Sequence, residues 1–158
     1  MTRADLSSLD DVWFNYFYEK TINGNDADNV MLNYKRNIDY VFVSPLNEKY
    51  LSYDDLYICT KENNDLLFVA NNKNIDIDSI LSNVNSIMSF AFSDVEKFNE
   101  IELTNNQIEI YPFSFALTHL SSIHMKKCDY KLLPMGLFYG CQYLSSIAIN
   151  DNCKMLEC

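Results

Sequence analysis

The sequence predicts an α/β protein: a small N-terminal cap of helix and strand over residues 1–48, then a short solenoid of stacked turns with short parallel strands over 49–158. Three observations lead there. Apolar side chains recur every 23 residues in the second half, as Phe92, Phe115 and Phe138 and as Ile87, Ile110, Leu133 and Leu156. Hydrophobic residues at 48% and aromatics at 14% give a chain of this length enough apolar surface for a real core, which excludes a disordered chain. Gly and Pro number only three each, so regular structure should dominate.

From the N-terminus, residues 8–20 read as an amphipathic helix. Leu9, Val12, Trp13, Tyr16 and Phe17 share one stripe, with Asp10, Asp11, Asn15 and Glu19 opposite. Ser7 or Ser8 can cap it and Asn23-Gly24 closes it. Asp26 or Asp28 opens a second, shorter helix through Met31 and Tyr34, and 38–43 then alternates like a strand up to Ser44-Pro45. Leu56-Tyr57-Ile58 and Leu66-Leu67-Phe68-Val69 flank Lys61-Glu62-Asn63-Asn64-Asp65, which is hairpin chemistry. Nothing here resembles a linker, so the N-terminal part should pack directly on the C-terminal half. Asn71-Asn72 and Asn105-Asn106 are turn signals.

The repeat is the strongest signal. Each Phe of the 23-residue series is followed by a second apolar anchor (Phe98, Leu120, Leu144) and then by an alternating pair, Ile101/Leu103, Ile123/Met125 and Ile147/Ile149. An alternating pair is a short strand with two side chains inward. One such unit cannot bury its apolar face alone; stacked at a fixed period, the strands pair in parallel and the Phe side chains form a ladder.

These residues carry a resemblance. Leu133-Pro-Met-Gly-Leu-Phe-Tyr-Gly-Cys-Gln-Tyr-Leu-Ser-Ser-Ile-Ala-Ile149 resembles the BspA-like leucine-rich repeat, whose unit runs apolar-Pro-x-x-x-Phe-x-x-Cys-x-x-Leu-x-x-Ile-x-Ile. Residues 87–103 and 110–125 match more loosely and lack the Cys. Leu56 to Val69 followed by Ile75-Asp76-Ile77 resembles the hairpin-plus-strand leader that precedes such repeats. The likeness spans about 50–158. It implies a right-handed βα leucine-rich-repeat solenoid used for protein or cell-surface binding, with no catalytic site of the family.

In such a stack, outward strand residues form columns on the sheet face. One column is Glu102, His124 and Ala148, preceded by Asp76; the flanking columns are Glu100, Ser122 and Ser146, then Thr104, Lys126 and Asn150. A small contact face for another protein is one reading and a solvated face with no partner is the other.

Charge narrows the partner classes. Residues 1–50 carry −3, 51–106 carry −7 and 107–158 carry 0, which together make the net −10. No basic patch exists to hold a phosphate backbone, which disfavours nucleic acid, and the acidic middle should repel anionic membranes. That middle either keeps the protein soluble or attracts a basic partner. It allows a second function: a small acidic inhibitor that mimics nucleic acid and blocks a basic groove on an enzyme through Asp54, Asp55, Asp76, Asp78, Glu100 and Glu102. Lys154-Met155-Leu156-Glu157-Cys158 begins a fourth unit, so either the natural protein continues or the uncapped parallel edge pairs with another chain, and self-association at this end is the expectation.

Enzyme chemistry finds little support. His119 and His124 are the only histidines, and residues 1–50 contain neither His nor Cys. Cys128 and His124 sit four apart across a strand end with Lys126 and Lys127 between, without an orienting third group. Cys141 reads as a small apolar plug of the repeat core. Asp76, Asp78, Asp94 and Glu96 lack calcium-loop spacing, and Gly24, Gly136 and Gly140 are too sparse for a phosphate loop. No catalytic residue, metal or cofactor is expected. Five cysteines without metal spacing favour reduced thiols. The start Met1-Thr2-Arg3-Ala4-Asp5 lacks an apolar leader, so cytoplasmic residence is expected, or a surface or secreted place if a leader has been removed.

Overall fold

The computed structural model describes residues 3–5, 38–43, 45–104, 107–126, 130 and 132–153. The helices expected over 8–20 and 26–34, Asn105-Asn106, Cys128 and the start of a fourth unit at 154–158 lie outside the described residues. Among the described residues, ten strands and one helix succeed one another in chain order: β1 Arg3–Asp5, β2 Tyr40–Phe42, β3 Tyr50–Tyr53, β4 Tyr57–Thr60, β5 Asp65–Val69, α1 Ile77–Asn83, β6 Ser86–Ile87, β7 Glu100–Glu102, β8 Glu109–Ile110, β9 Ser122–Met125 and β10 Ser146–Ile149. Short strands and a helix in one chain make an α/β fold.

The first part is antiparallel. β3 and β5 flank β4, and β4 runs into β5 through the polar Lys61–Asn64 turn, where Asn64 takes a positive φ of 56°. The alternation of β4 splits its side chains between two cores. Tyr57 and Cys59 join the large cluster under the repeats, whereas Ile58 joins a smaller one with Ile38, Val41, Val43, Tyr50 and Phe68. The strand at β2 thus lies on the far face of the hairpin, and β1 pairs with it in parallel. Both asparagines of the Asn71-Asn72 turn signal are buried, and Asn72 opens the expected turn, its carbonyl accepting the Ile75 N–H at 3.3 Å and its Oδ1 the Asn74 N–H at 2.8 Å. Asn71 accepts the Glu96 N–H through Oδ1 at 3.0 Å, and Asn72 donates through Nδ2 to the Asp39 carbonyl at 2.8 Å. Their amides join β2 and the first repeat to the hairpin end.

The expected third strand of this leader, at Ile75-Asp76-Ile77, is a helix. Asp76 occupies the N-cap position and accepts the Ser79 N–H at 3.1 Å, and Ile77, Ile80 and Leu81 then fall on one buried stripe. A capping carboxylate followed by apolar residues at i, i+3 and i+4 favours helix over strand.

From β5 onward the pairing turns parallel, and the first two repeats each supply two strand segments, β6 with β7 and β8 with β9, where the sequence suggested one. The first ladder is β5, β6 and β8, with Leu66 beside Ile87 and Ile87 beside Ile110. The second is β7, β9 and β10, with Ile101 beside Ile123 and Ile123 beside Ile147. Neither sheet closes on itself. Between the ladders the aromatic column stacks: Phe92 and Phe115 have ring centroids 5.1 Å apart at 19°, and Phe115 and Phe138 6.3 Å apart at 20°. Phe115 is 0% exposed, and one buried cluster holds Phe92 and Phe115 with Leu66, Ile87, Ile110, Ile101 and Ile123 of the two ladders, while Phe138 packs against it half-buried.

The turns between the ladders are hydrogen-bonded across repeats too. Phe92 N–H donates to the Ser114 carbonyl at 2.9 Å, Phe115 N–H to Leu137 at 3.2 Å and Leu117 N–H to Tyr139 at 2.7 Å. Two positions per turn are left-handed and keep the period: Phe90, Phe113 and Gly136 at φ 60–63°, then Asp94, Leu117 and Gly140 at φ 60–68°. A left-handed conformation costs a side-chain-bearing residue about 1–2 kcal/mol. In the last repeat glycine occupies both positions. Its missing side chains leave room for the Phe113 ring and the Leu117 side chain of the repeat before.

Gly136→Ala should therefore lower stability by at least about 1–2 kcal/mol in urea melts, from the left-handed backbone alone. It should cost more than Gly140→Ala, because the new methyl meets the rigid Phe113 ring, whereas at Gly140 it meets the adaptable end of Leu117.

Candidate functional site

The outward residues of the second ladder form the candidate face. Pairing within β7, β9 and β10 aligns Glu100 with Ser122 and Ser146, and Glu102 with His124 and Ala148. The third column continues past the strand ends, where Leu103 N–H donates to the His124 carbonyl at 2.8 Å and keeps the register into Thr104, Lys126 and Asn150. Alternation creates the face: Ile101, Leu103, Ile123 and Met125 turn inward and are buried, leaving their neighbours outward. Glu100, Glu102, Thr104, His124, Lys126 and Ser146 are exposed, while Ser122 and Asn150 are half-buried. Asp76 is not part of this column. It is spent at the N-terminus of α1, so the face begins at β7.

Charge runs across the face in strand order. β7 contributes two carboxylates, β9 a histidine with Lys126 just beyond, and β10 no charged residue. His119 lies apart from it: its Nε2 is 3.8 Å from Glu96 Oε1 and its ring meets Tyr143 edge-on at 4.8 Å.

Groups weighed for chemistry have structural surroundings. Asp94 is buried in a left-handed turn position and Asp76 caps a helix, so the acidic set Asp76, Asp78, Asp94 and Glu96 is divided among different tasks. Among the described residues no three of His, Cys, Asp and Glu gather as metal ligands. Cys141, expected as an apolar plug, is half-buried. Its thiol donates to the Phe115 carbonyl at 3.0 Å and lies 3.2 Å from Thr118 Oγ1, so it closes the turn of the preceding repeat through hydrogen bonds as well as packing. Cys59 is fully buried in β4, and that burial, helped by the nearby negative Asp65, pushes its thiol up to about 12. No helix among the described residues is long and apolar enough to cross a membrane.

Outward columns alone do not account for a set of exposed apolar side chains. Apart from Leu46, the large exposed hydrophobics among the described residues all lie in the last repeat: Leu132, Met135, Tyr139, Tyr143 and Ile147. Comparing equivalent positions between repeats would have found them. Leu132 stands where Glu109 stands one repeat earlier, Tyr139 where Ser93 and Ala116 stand, and Tyr143 where Lys97 and His119 stand.

Stacked 23-residue turns with paired parallel strands define a repeat protein. The model of the BspA-type leucine-rich repeat region matches residues 67–157 in six copies, and the chain belongs to that family. No curated protein and no solved structure matches it. The family is in general a non-enzymatic repeat module that mediates contacts between proteins.

The buried thiol supplies a test of the hairpin core. Unfolding moves the Cys59 pKa from about 12 back to 9.0, so the folded chain holds a proton that the unfolded chain releases. Its contribution to stability should be complete below pH 9 and be lost as pH rises toward 12. Urea midpoints measured across that window should fall, and Cys59→Ala should flatten the decline.

Proposed function

We propose that the chain is a protein-binding module: a short right-handed leucine-rich-repeat solenoid that presents the outer face of β7, β9 and β10 to another protein. The parallel register that aligns three polar columns carries this reading. Side chains on paired strands are held about 4.8 Å apart without loop ordering on binding, which lowers the entropic cost of a contact. The step from acidic β7 to His124 and Lys126 suits a partner with a basic patch set beside an acidic or neutral one. Capture of a partner from the native source with the intact chain, repeated with a Glu102→Ala/His124→Ala variant, tests it. The double variant should fold normally and bind that partner about tenfold more weakly, as expected for the centre of a contact face. Equal binding would move the interface elsewhere.

A second reading is the acidic inhibitor that mimics nucleic acid. The net charge of −10 and the exposure of Asp54, Asp76, Asp78, Glu100 and Glu102 favour it, with Asp55 half-buried. Salt separates the two. Mimicry should lose most of its affinity between low and moderate ionic strength, and a packed contact should not.

A further inference from the structure

We infer that His124 puts binding at the outer face of β7, β9 and β10 under the control of pH, so that a basic segment held there at neutral pH is released as the solution turns mildly acid. The inference rests on that face being the binding surface and adds its regulation.

The placement of charged groups carries it. His124 stands in the central column of the face, directly opposite Glu102 on β7 and Ala148 on β10. Among the described residues, the charged groups that face it come from two strands. β7 contributes Glu100 and Glu102, β9 runs on to Lys126, and Ser146, Ala148 and Asn150 on the β10 side contribute none. Glu100, Glu102, His124 and Lys126 are all exposed. With a neutral imidazole, two carboxylates and one ammonium leave the face at −1, and a protonated imidazole brings it to 0.

Two effects then act in the same direction. The face stops attracting a cation through its net charge. The new positive charge also lies one strand spacing, about 4.8 Å, from the backbone that carries Glu102, where it competes with an incoming lysine or arginine for that carboxylate. Imidazole is the side chain whose charge ordinarily changes between about pH 5 and 8, a range over which exposed carboxylates and lysines ordinarily keep theirs. A face built only of Glu, Ser, Thr and Lys would therefore hold a constant charge where this one does not. The other histidine of the chain is set apart from the three columns, with Nε2 3.8 Å from Glu96 Oε1 and its ring against Tyr143, so His124 is the one imidazole on the face. Affinity for a basic segment is then complete at the upper end of the window and falls as pH drops through it.

Amide NMR titrations of the full chain with an octalysine peptide, at constant salt, test the proposal. At pH 7.5 the amides of β7 and β9 should shift, and the fitted affinity should fall about fivefold by pH 5.5. His124→Gln, neutral throughout, should keep the pH 7.5 affinity at both values, and His124→Lys, positive throughout, should bind weakly at both. Position 124 is exposed, so neither variant should change the melting curve. His119→Gln should retain the drop of the unmutated chain. Octalysine that binds the face equally at both pH values overturns the regulation and leaves the face as a binding surface. So does a drop that survives in His124→Gln, or a His124→Lys variant that binds as tightly as the unmutated chain at pH 7.5. Octalysine that moves no amide of β7 or β9 at either pH removes the face as a site for basic partners, and the regulation with it.

Discussion

A single 23-residue turn of this chain has too few apolar side chains to enclose a core, so its neighbours must cover it. The contact that does so is the aromatic column of Phe92, Phe115 and Phe138, whose rings lie nearly parallel from one repeat to the next. Everything else in the second half is arranged around that stacking. It places Leu66, Ile87 and Ile110 in one ladder and Ile101, Ile123 and Ile147 in the other, and it brings the turns close enough for backbone hydrogen bonds between repeats. Offset-stacked rings add about 0.5–1.5 kcal/mol per pair beyond area burial. The larger role of the column is to set the register, since a slip would break both ladders and the turn bonds at once.

The stacking also explains where the backbone tolerates strain. Left-handed residues recur at Phe90, Phe113 and Gly136 and at Asp94, Leu117 and Gly140 because every repeat must reverse direction at the same height to stay in register. Two aromatic residues accept that conformation, and in return the Phe90 and Phe113 rings stack with centroids 5.3 Å apart. The glycines of the last repeat relax the strain and give room to the side chains of the turn before.

The same geometry divides the surface into two parts of opposite character. The outer face of β7, β9 and β10 is polar, because inward places on each strand are already taken by Ile, Leu and Met. The last described repeat carries no charged residue over 132–150 and exposes Leu132, Met135, Tyr139 and Tyr143, and its Ile147 is exposed where Ile123 and Ile101 are covered. Burial by repetition produces both: it covers the sides of every repeat but leaves each end of a stack to some other device. At the first end that device is the antiparallel hairpin and its second core on β2.

Spacing along the chain was enough to establish the period, the inward residues of the second ladder and the three outward columns. A period of two within a period of 23 survives any change of context, so these features needed no knowledge of the folded neighbours. The hairpin around Lys61–Asn64 was legible for the same reason, its turn chemistry being local. Other features arose only from packing. It made a further ladder from the short pairs Ser86–Ile87 and Glu109–Ile110, too brief to show alternation. It set Asp76 on the N–H of Ser79, drew Asn71 and Asn72 into buried bonds with Glu96 and Asp39, and turned Cys141 toward the Phe115 carbonyl. Each of these polar atoms had several partners open to it in the chain, and only the stacking of neighbouring turns selected one.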